Sequence, residues 1–85
     1  MSDTAQFEQM VLANQDMVFS TALRLLGNET EAQDVAQEAF VRAWNHWPEL
    51  VGSATVVGWL KTVTRNLCLN HLDRYRARWK MFSDL

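Results

Sequence analysis

Apolar side chains return along this chain at three- and four-residue intervals, in three long runs with brief interruptions. The first run spans about residues 4–26, where Phe7, Met10, Val11, Met17, Val18, Thr21, Ala22 and Leu25 line one face of a helix. Gly27 stands where a left-handed C-terminal cap would end it. Asn28 can cap the next helix, and Glu31, three residues on, completes a box-like pattern. Glu29 and Glu31 suit the positive end of that helix dipole.

The second run predicts a helix over about 29–47, with Ala32, Val35, Ala36, Ala39, Phe40, Ala43, Trp44 and Trp47 on its apolar side. Glu31, Asp34, Gln37, Glu38, Val41, Arg42 and Asn45 occupy the other side. Pro48 stops this helix, since it lacks an N–H and disfavours helical geometry before it. Residues 48–55 read as a connector whose Ser53 or Thr55 can cap a third helix over about 56–80. There Val56, Leu60, Val63 and Leu67 make a core stripe, and Gly58 marks close packing or a slightly late start. Beyond Leu67 the stripe turns polar at Asn70, His71, Arg74 and Arg78, so the helix must run on past the bundle. The pattern predicts an all-α fold, a compact three-helix bundle with its third helix projecting past the core. Phe40 and Trp44 are expected to lie buried between the first and third helices.

Composition narrows the class. Of 85 residues 48% are apolar, including four Trp, which is too much for a disordered chain. A single cysteine excludes an internal disulfide framework and fits a reducing, cytoplasmic setting. No window approaches the roughly 18 apolar residues of a membrane span, so no membrane insertion is expected. The formal charge of −2 hides two poles. Residues 1–50 carry eight carboxylates against two arginines and stand at −6, while residues 51–85 stand at +4. Such poles suit two partners of opposite character.

The residues offer little catalytic chemistry, and no enzyme activity is expected. Cys68 and His71 lie three apart on one helix, but Asp73 points elsewhere, so no oriented nucleophile results. His46, Cys68 and His71 could supply only part of a metal set. With no glycine-rich phosphate cradle either, no cofactor is expected. The third helix is different. Six basic residues, including Lys61, Arg65, Arg76 and Lys80, interleave with Trp59, Tyr75 and Trp79, offering phosphate contacts and stacking faces together. Those four cations fall within about 100° of one another around the helix. A helix-turn-helix at Gly27 is also conceivable, against which the second helix is acidic outside.

Two stretches carry a resemblance. Residues 24–44, Arg-Leu-Leu-Gly-Asn-Glu-Thr-Glu-Ala-Gln-Asp-Val-Ala-Gln-Glu-Ala-Phe-Val-Arg-Ala-Trp, resemble a signature of bacterial extracytoplasmic-function sigma factors. Trp59-Leu-Lys-Thr-Val-Thr-Arg-Asn-Leu67, followed by Asn70-His71-Leu72, resembles the family's second signature, in the family's order and separation. The resemblance is to region two of those factors, which binds core RNA polymerase and the −10 promoter element.

The resemblance implies roles for single residues. Asp34, Gln37, Glu38 and Arg42 match positions that dock on the clamp helices of the polymerase β′ subunit. Asn66 matches a base-reading position on the non-template strand, and Lys61 and Arg65 match backbone contacts. The 48–55 loop matches the pocket for a flipped-out base, with Leu50 where an aromatic is common. Trp59 is expected in the core rather than wedged into DNA. Anti-sigma proteins commonly cover these surfaces, so the alternative is a sigma-like decoy that binds an anti-sigma protein and never touches DNA. Complete members add a −35-reading domain that the 85 residues do not match, so a lone region-two domain is expected.

Overall fold

The computed structural model describes residues 3–83 as four helices: α1 (Asp3–Leu26), α2 (Glu29–Asn45), α3 (Trp47–Leu50) and α4 (Val56–Ser83). Three are long and form the expected all-α bundle; the fourth is a single turn inside the connector. Gly27 adopts φ +67, and its N–H closes α1 on the Leu23 carbonyl at 2.8 Å. Asn28 then turns the chain at φ −141, and its side-chain oxygen accepts from the Glu31 N–H at 2.9 Å. This two-residue link folds α1 and α2 into a helical hairpin, against which α4 packs.

The second helix ends two residues earlier than its periodicity suggests. Pro48 has no N–H to give the Trp44 carbonyl, and His46 takes up a non-helical φ of −105. Pro48 instead sits in the first turn of α3, where no N–H is needed. Trp47 and Leu50 of that turn both point inward and plug the end of the bundle. The Phe7 and Trp47 rings meet edge to face, 5.4 Å apart between centroids. His46 tilts over Trp59, which is half-buried against the core as expected.

The core is built from small residues at its centre. Val18 and Ala22 of α1 meet Ala32, Val35, Ala39 and Ala43 of α2 and Leu60, Leu67 and Cys68 of α4. Trp44, expected inside, is 45% exposed and only edges onto Phe7 at 5.0 Å, while Phe40 is half-buried. The reason is axial closeness: alanines at the centre of the apolar arc let the helices approach, and the large rings are left at its rim. Leu25, also expected inside, is 39% exposed, because the buried line of α1 advances from Val18 to Ala22 to Leu26. Thr64 is buried in α4, its hydroxyl donating to the Leu60 carbonyl at 2.7 Å.

From Asp73 onward every described residue of α4 is exposed. The radius of gyration, 14.9 Å, exceeds the roughly 12 Å of a compact chain this long. The 57 Å long axis reflects that projecting helix. Gly58 marks neither a late start nor close packing, since α4 begins at Val56 and a Cβ at Gly58 would meet nothing within 4 Å. Gly58→Ala is therefore expected to stabilise the fold by about 0.5–1 kcal/mol. That corresponds to a melting temperature higher by about 2–8 °C; a lower one would reveal a close neighbour at this position.

Candidate functional site

Two faces carry the residues singled out by sequence. On α2, Asp34, Gln37 and Arg42 are exposed and Glu38 is half-buried. They do not form one flat patch. Arg42 donates to the Glu38 carboxylate at 3.3 Å, one helical turn away. Asp34 and Glu31 form one wall of a cleft whose other wall is His71, Arg74, Tyr75 and Arg78 of α4. Gln37 opens the other way, onto an apolar groove lined by Phe7, Val11, Phe40, Val41 and Trp44. Val41 is 58% exposed there. The acidic-polar band thus has an apolar border towards α1 and a basic border towards α4.

On α4, Lys61, Arg65 and Asn66 are all exposed. Lys61 and Arg65 share a cleft against α1 with Thr21, Arg24 and Leu25. Asn66 follows Arg65 about 100° further round the helix and stands outside that cleft. Arg76 and Lys80 sit on the projecting part, exposed beside Tyr75 and Trp79. Arg24 was not among the sequence candidates: on its own helix it is a lone cation, and only the packing of α1 on α4 sets it beside two others.

Leu50 lies elsewhere than a surface pocket requires. It is 6% exposed and belongs to the core. The connector instead shows Ser53 and Thr55, whose hydroxyls pair at 2.7 Å while the Thr55 N–H donates to the Ser53 oxygen at 3.2 Å. The Thr55 carbonyl accepts the first bond of α4, from Trp59. Gly52 makes the turn at φ +76.

Cys68 is fully buried, and burial pushes its thiol pKa up, which disfavours the nucleophilic thiolate. Among the described residues no helix is long and apolar enough to cross a membrane.

Residues 10–78 match the family described as Sigma-70 region 2. The ECF RNA polymerase sigma factor SigL of Mycobacterium tuberculosis is 43% identical over 61 residues, covering 69% of this chain and 33% of that protein. The ECF RNA polymerase sigma factor SigW of Bacillus subtilis is 31% identical over 83 residues, covering 98% of this chain and 44% of that protein. The RNA polymerase sigma-H factor of Pseudomonas aeruginosa is 34% identical over 70 residues, covering 82% of this chain and 36% of that protein. The chain thus spans less than half the length of each of these curated relatives. No solved structure matches it.

Proposed function

The chain belongs to the sigma-70 region 2 family, and from that premise we propose that it serves transcription initiation as the part of a sigma factor that joins core RNA polymerase to the −10 promoter element. One observation supports the reading: Gln37 and Val41 of α2 border an apolar groove, while Lys61 and Arg65 of α4 border a separate basic cleft against α1. A protein partner and a nucleic-acid strand can then be held together without competing. Asp34, Gln37, Glu38 and Arg42 dock on the β′ clamp helices, with the exposed Val41 at the centre of that band. Lys61 and Arg65 take strand phosphates, and Arg76 and Lys80 extend the positive field along the projecting helix. Asn66, an exposed amide with both a donor and an acceptor, reads a base edge. With Leu50 inside, the rim of any base pocket in the connector falls to Ser53 and Thr55.

Phosphate contacts and base contacts predict different mutant behaviour. Holoenzyme assembled from core polymerase and this chain is titrated with single-stranded −10 oligonucleotides of varied sequence across a salt series. Asn66→Ala should lose discrimination at one position, by about 1–3 kcal/mol. Lys61→Ala and Arg65→Ala should weaken all sequences alike and flatten the salt dependence by about 0.7 each in log–log slope. A uniform loss in Asn66→Ala would move base reading to the connector. A chain that forms no holoenzyme yet binds an anti-sigma protein is the decoy.

A further inference from the structure

The N-terminal fifty residues hold eight carboxylates and only two arginines. One of the two, Arg42, is paired with Glu38. The other, Arg24, stands in the last turn of α1 and borders a cleft of about 330 Å³ with Lys61 and Arg65 of α4. Among the described residues its remaining lining is Thr21 and Leu25, so three cations line one cleft and no carboxylate lines it with them. Among the described residues none of the three is in an ion pair. The fold thus gathers like charges from two helices although acidic side chains abound in the first half of the chain. A cation in the last turn of α1 favours that helix dipole, but the dipole asks nothing of Lys61 and Arg65 on another element.

The geometry points to a phosphate site shared by two helices, in which Arg24 of α1 joins Lys61 and Arg65 of α4 in holding a phosphodiester of the non-template DNA strand. This deepens the strand-binding reading of α4 and rests on it. A guanidinium presents two parallel N–H donors to a phosphate, and it is always charged. The half-buried Thr21 and the partly exposed Leu25 give the cleft an uncharged floor against which a sugar can lie. Single-stranded DNA is the occupant favoured here because the cleft continues the Lys61–Arg65 edge of α4 onto α1. The strand that α4 holds is thereby led across the helix boundary.

The test is binding of the full chain to a twelve-residue oligo(dT) over a salt series, with melting followed by circular dichroism. Arg24→Gln should make the log–log salt slope shallower by about 0.7, the loss of one phosphate contact on a single strand. Arg24→Lys should keep the slope, because it keeps the charge. In the unaltered chain, oligo(dT) should protect Arg24 from an arginine-selective dicarbonyl reagent, read by mass spectrometry; this does not depend on any variant folding. An unchanged slope in Arg24→Gln, or no protection of Arg24, overturns the shared site while Lys61→Ala still flattens the slope and keeps the α4 reading. No salt-dependent binding by the unaltered chain overturns both.

Discussion

Leu60→Ala is expected to lower the free energy of unfolding by about 2–5 kcal/mol. Leu60 is fully buried and heads the largest wholly enclosed side chains, together with Val18, Val35, Thr64 and Cys68. It comes from α4 and packs with the centre of the α1–α2 hairpin, so truncation leaves a void that three helices share. A domain of this size has only about 5–15 kcal/mol in hand, and a loss near the upper end leaves a large unfolded fraction. Denaturant titration followed by circular dichroism measures it. Phe40→Ala should cost less, because its ring is half-buried at the rim rather than enclosed. A Phe40→Ala loss larger than that of Leu60→Ala would mean that the rings, not the small residues, form the centre.

The second large effect concerns docking. Replacing Asp34 and Glu38 together by lysine should abolish association with core polymerase, reversing the charge of the band that α2 offers. The consequences for the fold differ between the two positions. Glu38→Lys removes an exposed i,i+4 pair with Arg42, which is worth at most a few tenths of a kcal/mol. Asp34→Lys sets a cation in the cleft with His71, Arg74 and Arg78, so the α2–α4 contact loosens slightly. The neutral pair Asp34→Asn with Glu38→Gln avoids that repulsion, and should weaken docking strongly while leaving melting nearly unchanged. The measurement is co-purification with core polymerase, with circular dichroism on the same samples. Full retention by the double-lysine protein would remove this face from the docking surface.

Local chemistry was legible without any tertiary information. A glycine at 27 followed by an asparagine at 28 has one economical conformation, a left-handed cap and then an N-cap, and both form. The alternation of apolar residues along 29–45 states a helix whose apolar side faces inward. The loss of that stripe after Leu67 states that α4 leaves the bundle, and its exposure from Asp73 onward follows. Trp44 and Leu25 depart from the pattern for one shared reason. Periodicity defines an apolar arc more than a third of a turn wide, but not which part of the arc sits on the line of closest approach. Trp44 and Leu25 lie on the arc and off that line.

Within a few residues, then, the chain itself states its helical character, the Gly27–Asn28 caps, the apolar sides, the two charge poles, and the motifs that mark the family. Properties that need two helices at once came only with the packed fold. Leu50 turned inward because the single turn of α3 closes the bundle end, leaving Ser53 and Thr55 outside. Asp34, Gln37 and Glu38, near neighbours along α2, border three different clefts because helices flank α2 on both sides. Arg24 and Lys61 are 37 positions apart and share one cleft. The physical reason is that hydrogen bonds and side-chain periodicity act over one or two helical turns, whereas burial and electrostatic company depend on which helices touch, and along which line.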